Sequence, residues 1–139
     1  MKKILIFGLP GSGKTTLARL LVDELAVSKK VAWLNADEVR KSHDDWDFSY
    51  DGRIRQSTRM AELANSKSDM DFVVCDFVAP IPLMRDNFNA DYTIWMDTIV
   101  KGRFDDTNKA FIVPAIFNTR ITEQDAEKWS KYLALVLLG

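Results

Sequence analysis

One short stretch near the start of the chain constrains the fold more than any other. Residues 8–15, GLPGSGKT, match the phosphate-loop pattern G-x-x-x-x-G-K-[ST] at every fixed position. The apolar run before it, residues 4–7, predicts a buried strand, and residues 17–26 carry apolar side chains at helical spacing. A strand, a glycine-rich turn and a helix form the context in which this pattern binds phosphate. The sequence therefore predicts a binding loop for the phosphates of a nucleotide.

The residue types within this loop have separate uses. Its three glycines tolerate backbone angles that side chains disfavour, so successive N–H groups can point into one concavity. Lys14 brings positive charge to the outer phosphates, the Thr15 hydroxyl is a ligand for Mg²⁺, and the following helix directs its positive end at the same anion. We expect the phosphates to be held by Gly8, Pro10, Gly11, Ser12, Gly13, Lys14, Thr15 and Thr16.

The composition is that of an ordinary globular protein. The chain has 139 residues, 47% hydrophobic and 28% charged, which predicts one domain over residues 1–139. No window approaches the ~18 unbroken apolar residues of a membrane span. The predicted first strand begins within two residues of Met1, which is expected to leave no room for a signal peptide, and Cys75 has no second cysteine to pair with. We expect a cytoplasmic protein without a membrane segment.

The charge pattern favours small ligands. The net charge is −1 at pH 7, and both signs are scattered along the chain. Duplex nucleic acid requires a basic patch or stripe, so a nucleic-acid partner is disfavoured. The guanine-specificity pattern N-K-x-D is absent, because Asn108-Lys109 is followed by Ala110 and Phe111.

The rest of the chain alternates between strand-like and helix-like patterns. The predicted strands after the first are residues 31–34, 72–76, 91–97 and 117–121, and the predicted helices after the first are residues 53–64, 83–88 and 126–137. The strand that ends at Asp76 is expected beside the strand that leads into the phosphate loop. Residues 41–52 are polar and aromatic without either period, which predicts a surface loop. This alternation predicts the three-layer α/β fold of P-loop NTPases, with a parallel sheet of about five strands flanked by helices.

Several pieces of the sequence resemble the adenylylsulfate (APS) kinase family, which transfers the γ-phosphate of ATP to the 3′-hydroxyl of adenosine 5′-phosphosulfate. GLPGSGKTTLA is similar to its opening loop, and LNADEVR (34–40) resembles L-D-G-D-N-V-R. DFSYDGRIRQSTRMAELA (47–64) resembles G-F-S-x-x-x-R-x-x-x-x-x-R-x-A-E-x-A, CDFVAP (75–80) resembles S-F-I-S-P, and MDT (96–98) stands where the family has V-D-A-P. The resemblance covers roughly residues 3–98 and implies a single P-loop kinase domain of minimal form.

The resemblance implies roles for individual residues. Catalysis would depend on Lys14 and on Asp37, which would lie near the acceptor hydroxyl and Mg²⁺. ATP and Mg²⁺ are the implied cofactors, with Thr15, Asp37 and Asp76 as metal ligands. Arg40 and Arg53 would bind the anionic end of the acceptor, and Phe48 would stack on its adenine. The full set of predicted acceptor-binding residues is Arg40, Phe48, Arg53, Phe77, Lys109 and Phe111. These residue types suit the task, since a guanidinium matches phosphate or sulfate oxygens in pairs and an aromatic face holds a purine.

The sequence also departs from the family pattern. Asn35 stands where the family has the first acid of its pair, Asp76 replaces a serine, and Ala79 replaces a second serine. The long arginine-rich lid is largely missing. Between Asp97 and Pro114, Lys109-Ala110-Phe111 is similar to the K-G-F segment of the family's lid. Phe111 is predicted to close on the purine opposite Phe48, and Arg103 is a candidate lid cation.

Most of these residues also have a purely structural interpretation. Asp37 and Arg40 fit a helix-start carboxylate and a surface cation, Phe48 fits a core side chain under a loop, and Arg53 and Arg59 fit a solvated helix face.

The remaining candidates divide in the same way. Asp76 is either a magnesium ligand or a strand-end cap, while Phe77, Lys109 and Phe111 belong either to the site or to the packing. The single His43 in a polar loop is interpreted as incidental.

Taken together, the residues and the resemblance predict an ATP- and Mg²⁺-dependent kinase for a hydroxyl on a nucleotide-like acceptor, with APS as the expected substrate. One alternative is a related kinase for another hydroxyl, on a modified base in nucleic acid, a nucleoside or a sugar acid. A nucleotide-binding switch without kinase activity is the other. A homodimer is left open.

Overall fold

The structure, a computed structural model, describes residues 1–102 and 104–139, without the side chain of Asp106. Its strands are β1 (Lys2–Gly8), β2 (Val31–Asn35), β3 (Phe72–Asp76), β4 (Tyr92–Met96) and β5 (Thr119–Ile121). Its helices are α1 (Lys14–Ala26), α2 (Ala36–His43), α3 (Tyr50–Asn65), α4 (Pro82–Phe88), α5 (Asp105–Ala110) and α6 (Ala126–Leu138). Among these helices, none is long and apolar enough to cross a membrane.

The five strands form one parallel sheet in the order β2-β3-β1-β4-β5. Strand β1 is central, and β3 lies beside it with Ile6 opposite Asp76, as the sequence predicted. On the other side of β3, Asn35 of β2 is also opposite Asp76. Since all strands run the same way, their carboxyl ends meet at one edge of the sheet, where open α/β sheets bind ligands.

Helices cover both faces of this sheet. Along β1, Ile4 and Ile6 pack with α1 and α6, whereas Leu5 and Phe7 pack with the other side, where α3 and α4 lie. Alternate residues of a strand point to opposite faces, so a strand that is covered on both sides reads as one continuous apolar run. The predicted three-layer architecture of a P-loop NTPase is confirmed.

The structure corrects several predicted element boundaries. Residues 36–43 are helical, so the predicted surface loop at 41–52 shrinks to the turn between α2 and α3. Helix α3 begins at Tyr50 because the Ser49 side chain caps it by accepting the Gly52 N–H. A short helix, α5, occupies the polar stretch after β4, and the fifth strand is confined to Thr119–Ile121. The predicted lid cation Arg103 lies outside the described residues.

Candidate active site

A cavity of about 580 Å³ opens at the carboxyl edge of the sheet. It lies between the phosphate loop, the start of α2, α3, the segment after β3 and α5. Most of the predicted site residues line it: Pro10, Gly11, Gly13, Lys14, Thr15, Thr16, Asp37, Arg40, Phe48, Arg53, Asp76 and Phe77. The fold therefore brings together, at one cavity, residues that the sequence analysis selected from four separate segments.

The phosphate loop has the backbone that its glycines predict. Gly11 and Gly13 have φ values of 89° and 98°, in the left-handed region that favours glycine. Gly8 is needed for space, because a Cβ there would lie 2.5 Å from the Met96 carbonyl oxygen. Gly8 and the fully buried Ser12 support the loop from behind and do not line the cavity. The cradle is open on the cavity side, which fits phosphate oxygens.

Two side chains outside the loop fix its backbone. Thr98 Oγ1 donates to the Ser12 carbonyl at 2.7 Å, and Gln124 Nε2 donates to the Gly11 carbonyl at 3.1 Å. Within the loop, Lys14 Nζ donates to the Leu9 carbonyl at 3.0 Å. The loop is thus held in shape by protein contacts.

Asp76 is the buried acid of the site. Its Oδ1 accepts from Trp33 Nε1 at 2.7 Å, and its Oδ2 accepts from Thr15 Oγ1 and from Asn35 Nδ2, both at 2.9 Å. The side chain is almost fully buried, and this burial raises its pKa, against the opposing effect of the three hydrogen bonds. Indole and amide N–H groups can only donate, so the arrangement is built around an ionised carboxylate.

These oxygens also fit a magnesium ion. Mg²⁺ prefers oxygen ligands and is held in kinases by one or two protein groups together with phosphates and water. Thr15 and Asp76 supply a hydroxyl and a carboxylate 2.9 Å apart beside the phosphate cradle. The donor set therefore suits Mg²⁺, with Asp76 both packed at the strand end and lining the cavity.

Asp37 differs from Asp76 in its burial and in its hydrogen bonding. It is exposed at the start of α2 and lines the cavity. Its carboxylate has no hydrogen-bond or ion-pair partner among the residues that the structure describes. A carboxylate in this situation is available to a ligand.

Arg40 is not the surface cation of the structural interpretation, because only 5% of it is exposed. Its Nη1 donates to the carbonyls of Asp45 and Asp47 at 2.9 and 3.2 Å. The other edge of the guanidinium, Nε and Nη2, has no described partner. Burial lowers the pKa of Arg40, and the Asp45 carboxylate at 3.9 Å opposes this effect.

Arg53 is buried as well, with 8% exposed. Its Nε donates to the Phe48 carbonyl at 2.8 Å, and its Nη2 donates to Thr107 Oγ1 at 3.3 Å. Both partners are neutral, and no ion pair of Arg53 occurs in the described part of the chain. A buried cation that lacks a counter-ion is costly unless a ligand supplies the negative charge.

Phe48 lies against both arginines. Its ring centroid is 4.4 Å from the Arg40 guanidinium carbon and 6.0 Å from that of Arg53. Because half of the side chain is exposed, the core interpretation of Phe48 is wrong. Arg59, in contrast, is held by Asp45 and Gln56 and has a structural role.

Of the remaining predicted acceptor residues, one lines the cavity and two do not. Phe77 lines the cavity but is a buried side chain that packs edge-on against Phe88. Phe111 does not line it; its ring centroid lies 5.1 Å from the Arg85 guanidinium carbon, and it packs against the hydrophobic core. Lys109 is exposed and also lies outside the lining. The aromatic lid residue that does line the cavity is Phe104.

The sequence analysis missed several lining residues, namely Gln56, Phe104, Thr107 and Gln124. It also missed Trp33, which donates a hydrogen bond to Asp76. Gln56 is almost fully buried and donates from Nε2 to the Ala36 carbonyl at 3.1 Å. A signal existed for Gln56 alone, since it lies one helical turn after Arg53 on the same face of α3.

A second, smaller cavity of about 210 Å³ adjoins the phosphate loop. Gly13, Thr16 and Gln124 line both cavities. The rest of the lining of the second cavity is mixed: it comprises the apolar residues Leu17, Met96, Ile121, Ala126 and Trp129 and the acidic residues Glu123 and Asp125.

Comparisons with known proteins identify the relatives of this chain. The sequence profile of the family described as adenylylsulphate kinase matches residues 2–109. No curated protein matches the sequence significantly. Among solved structures, the APS kinase of Mycobacterium tuberculosis in complex with AMPPNP and APS is similar with a TM-score of 0.79 and 19% identity, over 99% of this chain and 96% of that one.

Two other solved structures extend the comparison. The hexameric APS kinase from Thiobacillus denitrificans is similar with a TM-score of 0.76 and 21% identity, over 98% of this chain and 28% of that one. The shikimate kinase of Aquifex aeolicus is similar with a TM-score of 0.67 and 16% identity, over 99% of this chain and 96% of that one. At these identities the likeness shows the fold, which is that of the P-loop kinases.

Proposed function

The chain belongs to the adenylylsulphate kinase family, and from that premise we propose that it transfers the γ-phosphate of ATP to the 3′-hydroxyl of adenosine 5′-phosphosulfate (APS). The observation that carries the proposal is Arg53, a buried cation without a counter-ion in the described chain, next to buried Arg40. The phosphosulfate of APS would supply the missing negative charge. The half-exposed ring of Phe48 beside both guanidiniums suits the purine of the same molecule.

The donor nucleotide would occupy the loop side of the cavity. Backbone N–H groups of residues 11–16 and the Lys14 ammonium hold the phosphates, while the second cavity takes the base. Thr15 and Asp76 would hold Mg²⁺, which when bound neutralises charge on the phosphates. Phosphoryl transfer requires mainly positioning and charge neutralisation, and these residues provide both.

The acceptor hydroxyl needs a group that takes its proton. Asp37 lines the cavity between the loop and the arginines, and its carboxylate has no partner among the described residues. We assign it the role of general base, with Arg40 and Arg53 orienting the acceptor toward the donor phosphate. A carboxylate contributes typically about 10²-fold or more in this role.

A kinase assay with labelled ATP and a panel of acceptors tests the proposal. We expect Mg²⁺-dependent transfer of label to APS and none to AMP, which lacks the sulfate. No transfer to APS at millimolar concentration, with transfer to another member of the panel, would overturn the assignment of the acceptor and leave the kinase assignment in place.

A second candidate acceptor is a hydroxyl on a larger molecule, such as a modified base in an oligonucleotide. The observation that favours it is a set of aromatic side chains that are each at least half exposed: Phe48 and Phe104, which line the cavity, and Trp46 and Tyr50, which lie within two residues of Phe48 in the chain. Aromatic faces bind successive bases of a single strand. Oligonucleotides with hydroxymethylated bases belong in the same panel, and their phosphorylation in place of APS would select this candidate.

Two further properties are part of the proposal. We propose a cytoplasmic location, consistent with a kinase that uses ATP. We also propose that the protein forms a homodimer, and light scattering on the purified protein tests it.

A further inference from the structure

On the proposed acceptor side of the cavity, Arg53 makes a hydrogen bond to Thr107, a residue of the short lid. Arg53 lies on α3, and Thr107 lies on α5, which is what remains of the lid between β4 and β5. Thr107 is 7% exposed, lines the cavity, and accepts the Nη2 hydrogen bond of Arg53 at 3.3 Å. The two residues are 54 positions apart in the chain, so the contact depends on how the lid folds back.

The contact decides which part of the guanidinium a ligand can reach. Nε and Nη2 form one edge of an arginine fork, the edge that receives two oxygens side by side. In Arg53 this edge is occupied, by the Phe48 carbonyl at Nε and by Thr107 at Nη2. In Arg40 the corresponding edge has no described partner, since its two hydrogen bonds both leave from Nη1.

We propose that Thr107 is a positioning residue of the acceptor site, which fixes the guanidinium of Arg53 so that Nη1 faces the acceptor anion while Arg40 offers its two-nitrogen edge. Two arginines would then receive one oxyanion group from different sides through different donors. Such an arrangement selects a tetrahedral oxyanion, such as sulfate or phosphate, over a planar carboxylate. This inference rests on the proposed acceptor side of the cavity and deepens it.

The physical reason is the freedom of the side chain. An arginine side chain loses much rotamer entropy when it is ordered. If the Phe48 carbonyl alone held Arg53, the guanidinium could turn about its Nε contact. The hydroxyl of Thr107 supplies the second fixed point, and a ligand then meets a donor that is already oriented.

The test compares Thr107→Val, which removes the hydroxyl and keeps the shape, with Thr107→Ser, which keeps the hydroxyl. We expect Thr107→Val to raise the KM for APS about tenfold, the lower end for one hydrogen bond to a charged group, and to leave the KM for ATP unchanged. Thr107→Ser should restore the wild-type KM. Thr58→Val is the matched control, because Thr58 is exposed on the same helix as Arg53, and it should change neither constant.

A double-mutant cycle then separates positioning from packing. If Thr107 acts through Arg53, adding Thr107→Val to Arg53→Ala should have no further effect on the KM for APS. An equal factor in both backgrounds, or an equal rise in both KM values, would overturn the assignment.

A binding measurement keeps the test independent of the acceptor's identity. With saturating Mg-ADP on the phosphate loop, inorganic sulfate should raise the melting temperature of the wild type more than chloride does at equal ionic strength. Thr107→Val should need about tenfold more sulfate for the same rise; Arg53→Ala should weaken the response at least as much, and adding Thr107→Val to it should weaken the response no further. If this coupling appears while APS is not phosphorylated, the proposed substrate fails and the role of Thr107 holds. If the effects on sulfate binding are additive, the role of Thr107 fails whatever the substrate is.

Discussion

At the scale of single residues, the site differs from its family pattern by an exchange between two strands. The resemblance places an acid at position 35 and a serine at position 76, and this chain has Asn35 and Asp76. The two residues are opposite each other in the sheet, and Asn35 Nδ2 donates to Asp76 Oδ2 at 2.9 Å. A carboxylate is thus retained at this point, on the strand next to the phosphate loop. It is held there by Trp33, Thr15 and Asn35.

Asp76 should make the stability of the free protein depend on pH. Burial raises its pKa in the folded protein above the ordinary value of 3.8, so its contribution to stability is largest below that value and declines as the pH rises through the folded pKa. Asp76→Asn removes this decline. We measure the free energy of unfolding in urea between pH 4 and pH 7. We expect the difference between the variant and the wild type, variant minus wild type, to increase as the pH rises.

The same variant should lose its advantage when the nucleotide binds. Mg-ATP should stabilise the wild type more than Asp76→Asn, because the amide cannot supply the negative charge that Mg²⁺ favours. A stability difference that is constant with pH would show that the folded and unfolded pKa values of Asp76 are equal.

Asp37 should show the opposite behaviour. Its carboxylate is exposed and has no described partner, so Asp37→Asn should leave the melting temperature within about a degree of the wild type, as for most surface substitutions. The kcat for APS should fall by about 10² or more if this carboxylate takes the proton. Steady-state kinetics at saturating substrates measure this, and an unchanged kcat would assign the proton to another group.

Which site residues could be predicted from sequence depends on how far apart their partners lie. The phosphate loop is contiguous, so its pattern located the loop, and six of its eight predicted residues line the cavity. Thr107 and Gln124 contact partners 54 and 113 positions away, and no local pattern encodes such contacts. The prediction for Phe111 used the short K-A-F likeness, but the lid folds so that Phe104 lines the cavity.

At the scale of elements, the segment between α2 and α3 is held by one carboxylate. Asp45 accepts two hydrogen bonds from Arg55, at 2.8 and 3.0 Å, and one from Arg59 at 2.8 Å. These hydrogen bonds hold the pKa of Asp45 well below its usual range. The carbonyls of Asp45 and Asp47 in turn hold Arg40. The segment is therefore a rigid support for the acceptor side of the cavity.

Neutralising Asp45 should loosen this support and spare the phosphate loop. We expect Asp45→Asn to raise the KM for APS several-fold and to leave the KM for ATP unchanged, since none of its contacts reaches residues 8–16. Asp44→Asn is the matched control, because it removes one negative charge at the adjacent position. Asp44 is exposed, and its φ of 48° is one that asparagine tolerates. If both variants raise the KM equally, net charge and not the contact of Asp45 is responsible.

The same elements show why sequence patterns failed between β2 and α3. Helix α2 buries only Val39 and Arg40, so it has no apolar stripe at helical spacing. What stabilises its start is a cap, Asn35 Oδ1 accepting the Glu38 N–H at 3.1 Å. Helix α5 lacks an apolar stripe in the same way. Helices of one or two turns depend on caps and tertiary contacts more than on periodicity.

At the scale of the whole molecule, the alternation of elements was enough to predict a parallel three-layer sheet, because each buried strand is a continuous apolar run. The order β2-β3-β1-β4-β5 required more than alternation, and the likeness of the loop to P-loop proteins supplied the pairing of β1 with β3. With β1 central, the phosphate loop at its carboxyl end borders both cavities. The proposed donor and acceptor sites would then be parts of one edge of one sheet.

This arrangement predicts how ligands stabilise the folded protein. Each site is assembled from segments distant in sequence, so ligands bind the folded state and not the unfolded chain. A ligand at 100 times its Kd then adds about 2.7 kcal/mol to the free energy of unfolding, which for a domain of this size is a rise of about 8 °C in melting temperature. We expect Mg-ATP and APS each to produce a rise of this order in a thermal shift assay.

Two variants assign each rise to its half of the site. Lys14→Ala should lose most of the rise with Mg-ATP and keep that with APS, because Lys14 lies on the phosphate loop. Arg53→Ala should keep the rise with Mg-ATP and lose that with APS, since it removes the buried cation that an anionic ligand would stabilise. This crossed result requires two separable sites on the same sheet edge. If either variant abolished both rises equally, the donor and acceptor would not occupy the two halves assigned to them.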